Sequence, residues 1–192
     1  MPSPIGHSLM GYIIYRTTGK SAKVSNWPLI VVYLFGANAP DLDFVPGLFV
    51  GDLGRFHQGP SHSITFTILF ALVGCLFFSR PLRAFVIGFS LYLSHVLLDY
   101  LVQDSTPPLG VPLFWPLSDR YYMAPFAFFS SFDRPGILAA AAIPAFFTFH
   151  NFLTISIELL FLLPLLLVVC TWRKHSDFKA ALAKQNGRIH TS

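Results

Sequence analysis

From Ser63 to Leu98 the chain carries two formal charges, Arg80 and Arg83, and they share one Arg-Pro-Leu-Arg turn. On either side of that turn the residues are almost wholly apolar. Such a stretch is not stably solvated and must be buried in protein or in lipid. Segments 63–79 and 84–98 therefore read as two helices joined in a hairpin. At ~1.5 Å per residue, 84–103 reaches about 30 Å, one hydrocarbon thickness. Composition decides between protein and lipid. The 192 residues are 54% hydrophobic and 11% charged, whereas soluble domains carry about 25% charged residues. The 21 phenylalanines, some adjacent as in Phe77-Phe78 and Phe128-Phe129, agree with this. The expected fold class is an all-α integral membrane protein, a bundle of four to six hydrophobic helices.

The remaining segments fit that class less evenly. Segments 8–15 and 27–37 are apolar but short for a crossing of about 20 residues. Segment 104–135 reads as a long loop, rich in proline and aromatics, whose Trp115, Tyr121 and Tyr122 suit the headgroup layer. Segment 136–149 is apolar but interrupted by Pro144, and His150-Asn151 breaks it. Segment 152–172 is the last strong span. Residues 1–172 thus form one helical membrane domain. Residues 173–192 form a polar, basic tail, expected to be mobile. No internal repeat is visible. The N-terminus has neither a basic residue before its apolar stretch nor a small-residue cleavage site, so no signal peptide is expected. Cys75 and Cys170 lie inside apolar runs and read as buried small hydrophobes. The net charge of +4, without an aromatic–basic stripe, does not suggest a nucleic-acid partner.

Against this background the polar residues stand out. His7, Asp41, Asp43, His57, His62, His95 and Asp99 fall at or near the ends of hydrophobic segments. If 63–79 and 84–98 form one hairpin and 8–15 and 27–37 another, all seven meet on one face. The opposite face carries Arg16, Lys20, Lys23, Arg80 and Arg83 and no acid. The positive-inside rule makes the basic face cytoplasmic and the polar cluster extracytoplasmic. A basic tail on the cytoplasmic side requires an odd number of crossings after Pro135.

Each motif has its own logic. In Ser94-His95-Val96-Leu97-Leu98-Asp99, helical spacing puts His95 and Asp99 one turn apart on one face, where both reach one ion. After Pro40 ends the preceding helix, Asp41 and Asp43 can point to the same side of an extended turn. In His57-Gln58-Gly59-Pro60-Ser61-His62-Ser63, Gly59-Pro60 sets a turn, Ser61 is the expected N-cap, and His62 enters the first helical turn. A His–Asp hydrogen bond, an acidic cap and two solvated loop histidines would account for these motifs one at a time. Together they supply four imidazoles and three carboxylates, more than one tetrahedral zinc needs. The expected cofactor is a divalent metal, zinc by donor chemistry, with two ions matching the ligand number. Asp43 or His57 is the candidate general base. Glu158, an intramembrane carboxylate, is a second-tier candidate for the metal shell, for the substrate or for contact with Arg134. His150 is a weaker candidate still, and His175 and His190, in the polar tail, look uninvolved.

In order and spacing, Gly6-His7-Ser8, Pro40-Asp41-Leu42-Asp43, His57-Gln58-Gly59-Pro60-Ser61-His62-Ser63 and Tyr92-Leu93-Ser94-His95-Val96-Leu97-Leu98-Asp99 resemble the YdjM family of bacterial inner-membrane proteins. Gly110-Val111-Pro112-Leu113-Phe114-Trp115-Pro116 also looks like the family's loop. The resemblance covers about residues 5–116 and implies a metal-dependent hydrolase in the inner membrane. Its pattern usually has Arg after the first loop histidine, where this chain has Gln58. Arg55 or Arg120 would then have to supply a phosphate-contacting cation. A remoter similarity, in the order of His, Asp, paired loop His and His-x-x-x-Asp, is to zinc-dependent phospholipase C.

These readings converge on a membrane-embedded, metal-dependent hydrolase. Its expected substrate is a phosphoester of a membrane lipid or lipid-linked molecule, attacked by a metal-activated water. The alternative is a non-catalytic protein that binds or carries a metal ion. Nothing in the sequence specifies an oligomeric state.

Overall fold

The computed structural model describes residues 1–18, 26–52, 54–104, 107–133 and 146–189, with side chains through Ala183. The described residues are mostly helical. Its helices are α1 (Pro4–Thr18), α2 (Trp27–Asn38), α3 (Phe44–Val50), α4 (Ile64–Cys75), α5 (Pro81–Tyr100) and α6 (Phe149–Ile189). The only sheet among the described residues is a two-residue parallel pair, β1 (Val102–Gln103) with β2 (Phe129–Ser130). Among the described residues three stretches are long and apolar enough to cross a membrane: Trp27–Val50, Pro81–Tyr100 and Phe149–Ala183.

Local chemistry explains several boundaries. Ser3 caps α1 by accepting the Gly6 amide at 3.2 Å, with Pro4 in the first helical position. Asn26 caps α2, and its side chain accepts the Leu29 amide. Pro40 does not end the helical path as expected. Its missing N–H and fixed φ suit the first turn of a new helix. The chain therefore tightens into a 310 turn over Ala39–Asp43 and continues as α3. Gly51, at φ 73°, stops α3 in the left-handed conformation that glycine adopts at least cost. The expected cap Ser61 is displaced by Ser63, whose extended backbone and Oγ receive the Phe66 amide, so α4 starts at Ile64. His62 then closes a separate 310 turn, Pro60–His62, before the helix.

Segment 63–79 is a shorter helix than its hydropathy suggests. Helix α4 has 12 residues, about 18 Å, too short for a crossing. The Leu76 amide already turns back to Val73, and Pro81 holds Arg80 out of helical geometry at φ −120°, ψ 80°. The opposite correction applies at the C-terminus. His150 and Asn151 lie in the first turn of α6 rather than breaking a span, and the basic tail continues the same helix to Ile189. Phe178-Lys179-Ala180-Ala181-Leu182-Ala183 is rich in strong helix formers, which favour continuation over a mobile tail. Segment 134–145, with Arg134 and Pro144, lies outside the described residues, as do Lys20, Lys23 and His190.

Small residues set the closest helix contacts, as they do where lipid gives helices no hydrophobic reason to associate. Gly11 of α1 faces α2 so closely that a Cβ there would lie 2.8 Å from the Ala37 Cβ and 2.9 Å from the Tyr33 carbonyl. Gly88 of α5 packs on Ala71 of α4. Beside these contacts Tyr15, Ile30, Tyr33, Ala37 and Leu91 form one buried cluster. Two carbonyls at the C-terminus of α1 receive cations, Thr18 from Arg83 at 2.6 Å and Thr17 from Arg173 at 3.3 Å. Arg173 thus reaches the end of the bundle that carries Arg83. At its start α6 meets the other end, where Asn151 bonds Asp133 and Glu158 bonds Ser3. Helix α6 therefore runs once from the polar end to the basic end.

Candidate metal centre

The polar end of the bundle is built from four stretches of chain. Helix α1 brings His7 and the 310 turn after α2 brings Asp41 and Asp43. The loop before α4 brings His57 and His62, and the last turns of α5 bring His95 and Asp99. His7, His62, His95 and Asp99 have no exposed surface, while the Asp41 and Asp43 side chains retain 14% and 10%. Among the described residues the cluster is thus closed on the bundle side and most open at Asp41 and Asp43.

Asp99 is the hub. Its Oδ1 lies 3.4 Å from His7 Nε2, and its Oδ2 lies 3.1 Å from His62 Nε2 and 3.4 Å from His95 Nε2. The last of these is the one-turn pair expected from the spacing. Asp41 Oδ1 lies 3.4 Å from His95 Nε2 and 3.7 Å from His62 Nε2 and from His57 Nδ1. The His7 and His95 rings stack with centroids 3.7 Å apart. Two ligand groups adjoin in this space, His7–His95–Asp99 and Asp41–His57–His62.

Hydrogen bonds behind the imidazoles decide which ring nitrogen faces inward. His95 Nδ1 lies 2.8 Å from the Ala37 carbonyl, which only accepts, so Nδ1 carries a proton and Nε2 is the nitrogen turned toward the carboxylates. Ser61 Oγ donates to Asp43 Oδ2 at 2.7 Å and therefore accepts from His62 Nδ1 at 2.9 Å. His62 Nε2 is thereby turned toward Asp99. His57 Nδ1 lies 2.9 Å from Asp43 Oδ1, and its ring stacks on Phe44 at 4.0 Å. Asp43 thus stands behind two histidines, in the orienting position that carboxylates take around metal-bound imidazoles.

The fit of a cation can be judged from what these atoms lack. His62 Nε2, His95 Nε2, Asp41 Oδ1, both Asp99 carboxylate oxygens and both His7 ring nitrogens are buried with no aligned hydrogen-bond partner. Orphaned buried polar atoms are rare and costly. Here they converge, and all are ligand types for divalent zinc or manganese. The cluster could hold a metal ion. With no cation counted, burial disfavours a charged His62, but the carboxylates of Asp41, Asp43 and Asp99 outweigh it and hold its pKa well above the ordinary histidine value. That raised proton affinity reflects a pocket with an excess of negative charge.

Second-tier residues fall elsewhere. The buried Glu158 carboxylate accepts the Ser3 amide at 2.7 Å and the Ser3 hydroxyl, outside both ligand groups. It anchors the first turn of α1, one turn from His7. Glu158→Gln keeps the shape but weakens that anchor. It should lower divalent-metal affinity by about tenfold, the low end of the ~10–100-fold that residues orienting a ligand contribute, as read by competition with a chelating dye. Arg55 is exposed and lies over its own neighbour Phe56, and Arg120 is also exposed. Gln58, at φ 57°, bonds Asp104, which also accepts the Gly110 amide at 2.9 Å. His150 bonds the Ser131 carbonyl, and His175 is exposed on α6.

Four supporting groups escaped the sequence reading: Ser3, Ser61, Tyr92 and the Ala37 carbonyl. Tyr92 donates to the Ser61 carbonyl at 2.8 Å. Its position three residues before His95, on the face shared with Asp99, was a usable signal. The other three had none, because they act through folded proximity.

The sequence profile of the YdjM inner membrane protein family matches residues 1–177. Inner membrane protein YbcI of Escherichia coli (strain K12) is 32% identical over 130 residues, 65% of this chain and 73% of that protein. No solved structure matches the chain.

Proposed function

The chain belongs to the YdjM family of inner membrane proteins, and on that footing we propose that it is a metal-dependent hydrolase acting on a phosphoester of a membrane lipid or lipid-linked substrate. One observation carries the reading. Unpartnered ligand atoms from four separate stretches converge at one end of a lipid-immersed bundle, with an Asp-held histidine at their more open edge.

Asp41, His62, His95 and Asp99 would hold the ion, with His7 beside them, and the ligand number accommodates two ions. A bound divalent cation, zinc by donor chemistry, supplies Lewis acidity and an acidified water at neutral pH. The chain's own residues do the rest. Asp43 fixes the His57 ring through Nδ1, and the Phe44 stack holds its plane. His57 so held can take the proton from a water attacking phosphorus and return it to the leaving oxygen as the P–O ester bond breaks. Burial behind α5 excludes bulk water from the other side. A headgroup substrate fits because the open edge lies at the end of the bundle, where headgroups lie. Arg16, Arg80, Arg83 and Arg173 at the other end favour the cytoplasm there and an outward-facing site.

The deciding experiment is turnover of a panel of phospholipids and lipid phosphates by purified, zinc-loaded protein. His57→Ala should cut kcat by about 10²–10³-fold while zinc stays bound. Stoichiometric zinc with no turnover on any member would favour the metal-carrying alternative. Acid should weaken the ion. His62 holds a proton that a cation must displace, so affinity should fall by up to about tenfold per pH unit as the pH drops below the raised His62 pKa, neutrality included. Calorimetry in buffers of different ionisation enthalpy should show proton release on zinc binding. An affinity independent of pH would remove His62 from the ligand set.

A further inference from the structure

Away from the cluster, beyond Leu91, α2 and α4 lean over α5 and enclose a cleft of about 1040 Å³. Gly88 and Leu91 floor it, Phe70 and Phe77 wall it, and Arg80 and Arg83 stand at its basic end. The volume is at the top of the ~300–1,000 Å³ range of small-ligand pockets. It is not an extension of the metal centre. Ala37 has no exposed surface, Leu91 is buried, and Tyr92 packs against Phe70, so together they close the passage toward His95.

An apolar trough ending in cations matches one chemistry. Acyl chain suits the walls, and phosphate suits paired guanidinium groups, which bind it bidentately. Arg83 donates one N–H to the Thr18 carbonyl and has further donors to offer. Among the described residues the lining contains two arginines and no carboxylate, so a headgroup ammonium would find no counter-charge. We propose that this cleft is a binding site for one anionic glycerophospholipid of the surrounding leaflet. An acyl chain lies between α2 and α4, and the phosphate sits on Arg80 and Arg83. The site is separate from the centre proposed for catalysis and does not depend on it.

The test uses the full chain in mixed micelles containing equal phosphatidylglycerol and phosphatidylcholine, with retained lipid read by native mass spectrometry. One phosphatidylglycerol per chain is expected, in preference to phosphatidylcholine. Arg80→Gln with Arg83→Gln should lower its retention by about fivefold or more. Gly74→Leu grows into the cleft from a position where a Cβ meets nothing within 4 Å. It should displace the lipid while zinc binding is unchanged. Equal retention of the two lipids would overturn the proposal, as would retention unaffected by the arginine pair. A lipid-free dimer lost in Gly74→Leu would also overturn it, in favour of a second copy as occupant. If Gly74→Leu does not fold, the arginine variant still decides.

Discussion

Asp99→Asn is expected to weaken divalent-metal binding by about 100-fold or more. Structural zinc sites are worth ~10–16 kcal/mol shared among about four ligands, so one ligand carries roughly 3 kcal/mol, about 100-fold in affinity. Asp99 should exceed that share. Its two oxygens face three histidines at 3.1 to 3.4 Å. Of the ligands assigned to the ion, Asp41 would then be the one remaining carboxylate to balance a buried dication. Metal analysis of purified protein and chelator competition check it. The loss should appear mainly in the metal-loaded protein. If instead Asp99→Asn leaves metal content unchanged and destabilises the chelator-treated protein by about 3–5 kcal/mol, the cluster is an ion-pair network.

Gly11→Val should damage both the fold and the site, although residue 11 touches no ligand. A Cβ there would lie 2.9 Å from the backbone carbonyl of Tyr33 and 2.8 Å from the Ala37 Cβ. A backbone carbonyl inside a helix cannot step aside, so α1 must move off α2. Overpacking of this kind costs about 1–3 kcal/mol, and branching adds to it. His7 sits one turn before Gly11 on the same face. The displacement carries its imidazole away from Asp99 and from the stacked His95 ring. A lower melting temperature together with about tenfold weaker metal binding is expected. Gly74→Ala, where a Cβ meets open space, is the control and should lower neither; a glycine-to-alanine change within α4 favours the helix. Parent-like metal affinity in Gly11→Val would show that His7 is not needed to hold the ion.

What could be read before folding follows the range of each signal. The membrane class rests on composition, which needs no geometry. The proximity of His95 and Asp99 follows from helical spacing alone. The meeting of His7, Asp41 and His62 required two hairpins; the Arg80-Pro81-Leu82-Arg83 turn made one legible, and the other was a condition with no turn motif behind it. Boundaries were less so. Ser61 and Ser63 are equally good caps by type, and the outcome turned on Asp43 taking the Ser61 hydroxyl, a contact 18 residues away. The tail read as polar and therefore loose, yet its lysines and alanines favour helix where no packing opposes it. Glu158 announced itself as a buried carboxylate, but its partner Ser3 lies 155 residues off, beyond any spacing rule.

That last separation bears on how the protein is made. His7 leaves the ribosome first, but the turn that carries it acquires its carboxylate anchor only when residue 158 has been synthesised. Until then α1 can associate with α2 through Gly11 but lacks its second support. Complete assembly of the pocket is therefore a late event of biogenesis, and a chain truncated before its last helix should reach the bilayer with its coordinating groups present but loosely arranged.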